Sequence, residues 1–446
     1  MAGPTATDQT GQRSPALLIK WLIIGVVAAV SGLVVVGSFV FLLHTLHDLL
    51  RSSGVPLPLF ALAGALVTGT VIYRIDPRCA GEGVPSYVHG LRTNSGRLDF
   101  SETAGKYLAA LATLGTFGNG GIVGPVGRVS AGVMSSLARL ARSRWFDQGD
   151  LVTATTAGLA AAVAVIFRSP IGAGVLAVEI MQKSEMRYLR LFPAIIASAL
   201  ATHLAVVTGT PPLIQAPLHT MPAPATAIHP ELLLPVLLVA GVTGLGGRAY
   251  SMFYGFVSRV TGRRERGSVV FKVLTGTLIA AGVAWLINPE IMGTSETLMA
   301  DLTAGRSTSL YGNVPYAVPM VVVLLILAVV KMTANCITVG SGLSAGFTGP
   351  AAVIGMLLGR AVAETMGTAA GSLEYYAVLA AGFTGMLAST LNIPFAAAII
   401  ALEIFGIQHG VAAGLTAVIA FQLNRRKTIY DSSLGVEPGY NDTAAG

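Results

Sequence analysis

Two glycine-rich turns, at residues 121–125 and 346–350, contain the residue types that could bind an anion. The first reads Gly-Ile-Val-Gly-Pro, the second reads Gly-Phe-Thr-Gly-Pro, and each leads into a long apolar segment. A helix that begins at such a turn has unpaired backbone N–H groups and the positive end of its dipole there, and glycine lets an ion approach the backbone. Each turn therefore predicts an anion site at a helix N-terminus.

A single turn of this kind leaves a second interpretation open, because closely packed membrane helices also use small residues. The second turn follows the first at an offset of 225 residues, and other pairs recur at an offset of 224. These pairs are Ala157-Gly158 with Ala381-Gly382, Pro170 with Pro394, and residues 177–180 with residues 401–404. The matched set favours a duplicated unit of roughly 190 residues that carries one site in each copy.

The composition indicates that membrane helices position these turns. Apolar residues make up 53% of the 446-residue chain and charged residues only 11%, against about 25% charged residues in a soluble domain. The apolar segments begin with a first span at 16–43, and several later ones are shorter than the ~20 residues that cross a bilayer. Short, interrupted segments in corresponding places of two halves are typical of broken helices that meet at a mid-membrane site. We therefore predict an all-α polytopic membrane protein.

The chain divides into one transmembrane domain between two tails. We predict a disordered N-terminal tail at 1–15, a transmembrane domain at 16–434 with repeat halves at about 58–210 and 231–423, and a C-terminal tail at 435–446. The proline-rich stretch 211–230 is the predicted loop between the halves, and the basic run 263–266 marks a second solvent-facing loop.

Several other function classes find no support. The net charge of +7 is attributed to basic residues on the cytoplasmic side, such as Arg425, Arg426 and Lys427, rather than to nucleic acid binding. Cys79 and Cys336 lie far apart and the seven histidines are scattered, so no metal site is predicted. We find no nucleophile with a base and no nucleotide loop, and we predict neither an enzyme nor a cofactor.

Four motifs together resemble the CLC chloride channels and transporters. They are residues 81–85 (Gly-Glu-Gly-Val-Pro), the two turns described above, and Tyr430. The similarity runs from about residue 58 to about residue 434, and the stretch 156–180 matches the family pattern closely. The resemblance implies an inverted repeat of broken and tilted helices, a homodimer with one pore per subunit in the lipid bilayer, and passage of small anions.

The resemblance also implies which groups bind the anion. The backbone N–H groups of Phe347 and Thr348 and the hydroxyl of Tyr430 would hold a central anion, and an outer site would lie where a helix opens with Val123 and Gly124. The full expected set is Glu82, Gly83, Val84, Val123, Gly124, Phe347, Thr348 and Tyr430. Lys106 falls where the family often has a buried lysine that makes the pore positive; alternatively its side chain reaches a membrane interface.

At two positions this chain lacks the glutamates that carry protons in proton-coupled members of the family. Members that exchange anions for protons have a gating glutamate at the position of Val123, and an internal proton-transfer glutamate at the position of Ile180. Neither residue present here can carry a proton. Glu179 and its counterpart Glu403 are expected to be structural. The usual coupled exchange is therefore not expected.

Glu82 is a third departure, because the family usually has a serine at this position. A carboxylate about 4 Å from a bound anion would repel it by roughly 4 kcal/mol at an effective dielectric of 20. Three arrangements would relieve this: Glu82 is protonated, it swings away, or the anion donates a hydrogen bond, which bicarbonate can do and chloride cannot. In a fourth arrangement Glu82 points out of the pore and pairs with Lys106 or an arginine.

The sequence thus predicts a voltage-independent, uncoupled anion channel or uniporter of the plasma (inner) membrane that passes chloride or bicarbonate. The alternative is a secondary anion transporter with proton linkage through Glu82.

Overall fold

Helices make up almost all of this computed structural model, which describes residues 14–141, 148–180, 188–214, 230–262 and 269–431. The described residues form sixteen α-helices and no strand apart from one isolated bridge. In chain order the helices are α1 (Ser14–Ser52), α2 (Leu57–Arg74), α3 (Val84–Thr93), α4 (Phe100–Gly115), α5 (Val123–Leu140), α6 (Gln148–Phe167), α7 (Gly172–Glu179), α8 (Tyr188–Val207), α9 (Leu233–Gly262), α10 (Val269–Ile287), α11 (Glu296–Thr303), α12 (Met320–Gly340), α13 (Thr348–Thr365), α14 (Leu373–Leu391), α15 (Pro394–Phe405) and α16 (Gly410–Asn424).

Seven of the described helices are long and apolar enough to cross a membrane. The first of them, α1, continues to Ser52, past the predicted end of the first span at residue 43. The reason is local, because no glycine or proline interrupts the chain between Leu43 and Gly54. With 39 residues, α1 is far longer than the ~20 residues that a bilayer requires.

Some of the predicted loops and tails lie outside the described residues. These are residues 1–13, most of the stretch 211–230, the basic run 263–266 and the tail 435–446. At the N-terminus, α1 already begins at Ser14, which is inside the tail predicted at 1–15.

The order of the helices repeats itself along the chain. The series from α4 to α8 is followed by a matching series from α12 to α16, and the 3₁₀ turn 77–79 has a counterpart at 289–291. Both 3₁₀ turns are capped in the same way, because Asp76 accepts from the Arg78 N–H and Asn288 accepts from the Glu290 N–H, each at 2.9 Å. The duplication predicted from residue offsets therefore appears as two equivalent series of elements.

Helices of the second series pack very closely at glycines. A β-carbon at Gly355 of α13 would come within 2.8 Å of the Met386 side chain and would overlap the backbone of Gly382 on α14. A β-carbon at Gly382 would in turn meet the backbone of Gly355 and Gly359. This contact fixes α13, and hence the turn that precedes it, in the middle of the protein.

Two glutamates tie the two series together by capping each other's helices. Glu179, at the end of α7, accepts from the Phe395 and Ala396 N–H groups at the start of α15, at 3.0 and 2.7 Å. Glu403, on α15, accepts from the Ile171 and Gly172 N–H groups at the start of α7, at 2.8 and 3.0 Å, and also from the Ser169 hydroxyl. Each carboxylate thus satisfies helix donors that would otherwise be unpaired.

We expect Glu179→Ala to lower the free energy of unfolding by about 2–4 kcal/mol, because two N–H groups at the start of α15, one buried and one partly buried, lose their acceptor and each unsatisfied group costs about 1–3 kcal/mol. Thermal unfolding of the purified protein in detergent would measure the change. Glu231→Ala is the matched control, since Glu231 is exposed. Equal stability of the two variants would contradict the capping role.

Candidate anion site

The two glycine-rich turns meet and pair through their backbones. The Gly121 N–H donates to the Gly346 carbonyl at 3.0 Å, and the Gly346 N–H donates to the Gly121 carbonyl at 2.7 Å. The pair is antiparallel, so the two turns run in opposite directions, as an inverted repeat requires. A β-carbon at Gly346 would lie 2.8 Å from the Gly121 oxygen and 3.1 Å from the Gly124 nitrogen. Only residues without side chains allow this approach.

Both turns end where a helix starts, so two helix N-termini converge on the paired turns. Helix α5 begins at Val123 and α13 begins at Thr348. A β-carbon at Gly121 would lie 2.8 Å from the Gly349 nitrogen, which places the first turn of α13 against the opposite turn. Unpaired N–H groups and positive dipole ends are therefore concentrated at one buried point, an arrangement that favours an anion.

A third helix start is supplied by the motif at residues 81–85. Gly83 has φ +109°, a conformation that side chains rarely adopt, and α3 begins at the next residue, Val84. A β-carbon at Gly83 would lie 3.1 Å from the Gly124 carbonyl oxygen. The glycine thus lets the first motif turn sharply while in contact with α5.

The Glu82 carboxylate lies among the groups predicted to hold the central anion. Its Oε2 accepts from the Val84 N–H at 2.7 Å, its Oε1 lies 3.4 Å from the Tyr430 hydroxyl, and the Phe347 N–H is also directed at it. A β-carbon at Gly124 would overlap this carboxylate. Glu82 is only 3% exposed. Glu82 therefore faces the start of α3 and the Tyr430 hydroxyl and, among the described residues, forms no salt bridge with Lys106 or an arginine, so the fourth arrangement is wrong for this structure.

Tyr430 reaches the site from the segment that follows α16. The Thr428 N–H and hydroxyl donate to the Asp431 carboxylate at 2.9 and 3.0 Å, and the Ile429 N–H donates to the Thr390 carbonyl at 3.1 Å. Tyr430 is buried, and its hydroxyl also contacts the Thr348 side chain. This short turn therefore anchors the phenol beside the start of α13.

Lys106, on α4, supports the motif at residues 81–85 through hydrogen bonds. It is fully buried, and its Nζ donates to the carbonyls of Cys79, Ala80 and Gly81 at 3.1, 3.2 and 2.5 Å. The side chain does not reach a membrane interface, so the alternative placement of Lys106 is wrong for this structure. The ammonium lies next to the motif that carries Glu82, and its charge makes the site more positive.

A buried ion network lies behind the same motif. Arg128 of α5, which is fully buried, pairs with Glu102 of α4 at 2.9 Å and donates to the Ser86 hydroxyl of α3 at 3.0 Å. The Glu102 carboxylate lies 3.7 Å from Arg78, which is more than half exposed. The three helices that surround Glu82 are thus held together by charge as well as by packing.

Val123 and Ile180, the two residues at the positions of the family's proton-carrying glutamates, differ in their surroundings. Val123 is buried at the first position of α5, directly beside the paired turns. Ile180 follows the last residue of α7 and packs half-buried at the edge of the apolar core. No carboxylate is present at either position.

Three residues that were not predicted from the sequence, Asn335, Tyr250 and Lys331, support the site from behind. The Asn335 amide of α12 donates to the carbonyls of Asn119 and Gly346, both at 3.3 Å, and its oxygen accepts from the Tyr250 hydroxyl. Tyr250 also packs edge-on against the Phe347 ring at 5.9 Å. The third residue, Lys331, donates to the carbonyls of Ile291 and Gly293. A signal for Lys331 was present, because it follows Lys106 at the 225-residue offset of the two turns.

Residues 64–425 match the family model described as voltage gated chloride channel. The chain belongs to the CLC family. An uncharacterised protein of Methanocaldococcus jannaschii is 28% identical over 93% of this chain and 95% of its own length. The H⁺/Cl⁻ exchange transporter ClcA of Vibrio cholerae is 24% identical over 94% of this chain and 89% of its own length. Among solved structures, a CLC-type fluoride/proton antiporter superposes with a TM-score of 0.76 at 19% identity, over 95% of this chain and 99% of that one.

Membership in the CLC family confirms the predicted fold class, an all-α polytopic membrane protein with an inverted repeat. The chain is accordingly a multi-pass membrane protein of a family of anion channels and transporters. Within the described residues, no group of three histidine, cysteine or acidic side chains could hold a metal ion.

Proposed function

We propose that this CLC protein passes small monovalent anions, chloride or bicarbonate, down their gradient through a pore at the paired turns, as an uncoupled channel or uniporter. The observation that carries this proposal is the meeting of three helix starts, those of α3, α5 and α13, at one buried point. The valine at position 123 supports the absence of coupling, because no carboxylate at the start of α5 can exchange places with the anion.

Glu82 favours a second candidate function, a secondary anion transporter with proton linkage. Its carboxylate receives the Val84 N–H and lies beside the Tyr430 hydroxyl, so it occupies a position that suits an anion. A charged carboxylate there competes with the permeant ion, whereas a protonated one does not. If the protein is an uncoupled channel, protonation of Glu82 would free the site for the anion. If it is a transporter, protonation of Glu82 would couple proton movement to anion movement.

Reversal potentials of reconstituted vesicles separate the two candidates. If the protein is uncoupled, the reversal potential follows the chloride gradient alone, and a pH gradient changes only the size of the current. If protons are coupled, the pH gradient shifts the reversal potential and drives chloride uphill. A shift that disappears in Glu82→Gln would establish the transporter and reject the channel.

Three further features belong to the proposal. We propose that the protein lies in the plasma (inner) membrane and forms a homodimer with one pore per subunit. Its conduction is proposed to be voltage-independent, because the gating glutamate expected at position 123 is absent and Glu82 would respond to pH. Current–voltage relations that stay linear in symmetric chloride would support this, and strong rectification would contradict it.

A further inference from the structure

Lys331 is a buried cation whose charge the described protein does not balance. It is fully buried on α12, and its Nζ donates to the Ile291 and Gly293 carbonyls, both at 2.8 Å. No described carboxylate lies within 4.0 Å of it. The acidic residue of the adjoining helix start, Glu296, is instead paired with His44 at 2.9 Å. Lys106 is the counterpart of Lys331 in the first series of helices. It differs from Lys331 because the motif to which it donates carries the Glu82 carboxylate.

An uncompensated buried charge is costly, so a buried ammonium requires a counter-ion or loses its proton. Two carbonyl oxygens satisfy two of its three N–H donors, and carbonyls carry no net charge. The third donor has no partner among the described residues. A small anion would supply both the missing acceptor and the missing charge.

Asn119, which precedes the first of the paired turns, provides a second, independent indication. It is 1% exposed, and neither its Nδ2 nor its Oδ1 has a hydrogen-bond partner among the described residues. Buried amides are normally satisfied on both atoms, and an exception calls for a partner. The amide nitrogen can donate to an anion, and the amide oxygen can accept from the hydroxyl of bicarbonate or from a water that accompanies the ion.

Shared hydrogen bonds place these two residues in the same part of the structure. The Gly293 carbonyl accepts from both Lys331 Nζ, at 2.8 Å, and the Gly120 N–H, at 3.2 Å. Asn119 directly precedes Gly120, and its own carbonyl accepts from Asn335, one helical turn after Lys331 on α12. The backbone of Asn119 is therefore held beside the stretch of α12 that carries Lys331.

We propose that Lys331 and Asn119 form a second anion-binding site, separate from the one at Glu82 and Tyr430, for a small monovalent anion. The site adjoins the paired turns through Gly120, so an anion held there is positioned to move to or from them. The proposed transport role of the site rests on the proposed function; its ability to bind an anion does not.

Bromide is a suitable probe, because its anomalous scattering locates it in crystals of the full-length protein. We expect one bromide within hydrogen-bonding distance of Lys331 Nζ and another at the paired turns. Lys331→Met should lose the first peak and keep the second, whereas Lys331→Arg should keep both. Asn119→Leu should weaken the first peak only, which gives a second test if the methionine variant fails to fold.

Flux measurements test whether the Lys331 site contributes to anion transport. Lys331→Met should raise the anion concentration for half-maximal flux by about tenfold, which corresponds to about 1.4 kcal/mol of binding. Absence of bromide at Lys331 in the wild type, or a peak that persists in Lys331→Met, would overturn the site. Bromide at Lys331 in a protein without flux would instead retain the site and reject the proposed function.

Discussion

Glu82→Gln should raise anion flux at pH 8 by about tenfold or more and should abolish the response of flux to pH. The carboxylate lies among the donors that suit an anion, and its repulsion of a bound anion is roughly 4 kcal/mol at 4 Å and an effective dielectric of 20. Glutamine keeps the shape and the acceptor for the Val84 N–H but carries no charge. Relaxation of the side chain makes the measured gain smaller than the full repulsion.

The sign of the pH response follows from the same charge. In the wild type, acidification protonates Glu82 and removes the competing carboxylate, so flux should rise as pH falls. Lys106 on α4 and the Tyr430 hydroxyl face the same region. Stopped-flow efflux between pH 5 and pH 8 would measure the profile.

Glu231→Gln is the control for Glu82→Gln, because Glu231 is exposed and removing its charge should leave both flux and pH response unchanged. A glutamine variant with the wild-type pH profile would remove Glu82 from the gating mechanism. Glu82→Ser tests selectivity separately. It should shift preference from bicarbonate towards chloride, because the carboxylate that accepts the bicarbonate hydroxyl is replaced by a donor.

Gly346→Ala should reduce anion flux to the level of protein-free vesicles. The added β-carbon would lie 2.8 Å from the Gly121 carbonyl oxygen and 3.1 Å from the Gly124 nitrogen. Both neighbours are backbone atoms, so no flexible side chain can move aside. The bridge between the two turns must open, and the helix starts of α5 and α13 must then separate.

The matched control for Gly346→Ala is Gly282→Ala. Gly282 lies within α10, and a β-carbon there would have no neighbour within 4 Å. The Gly282→Ala substitution should leave flux unchanged and should slightly stabilise α10. Size-exclusion profiles would show whether each variant is folded. A folded Gly346→Ala protein with wild-type flux would refute the pairing of the turns as the basis of the pore.

Much of the core of the site follows from sequence, because glycine and proline at fixed positions dictate where backbones can approach and where helices begin. The turns at 121–125 and 346–350 were predicted on these grounds, whereas the motif at 81–85 was identified only through its resemblance to the family. The orientation of Glu82 was not, because the choice between the pore and an external partner depends on groups that are distant in sequence, such as Tyr430.

The supporting roles of Asn335 and Tyr250 could not be predicted from the sequence for a related reason. Asn335 and Tyr250 are ordinary residues within apolar helices, and their roles arise only because α9 and α12 lie behind the paired turns. Likewise, Glu179 and Glu403 were expected to be structural, but their exchange of partners depends on the contact between α7 and α15. Residue type alone does not reveal which donor a buried carboxylate will meet.

That exchange of partners constrains how the protein is made. The Glu179 carboxylate is synthesised more than 200 residues before the N–H groups of Phe395 and Ala396 that it caps. The N–H groups at the start of α7 must likewise remain without the Glu403 carboxylate until α15 has been synthesised. The reciprocal caps can therefore form only after nearly the whole chain has been made.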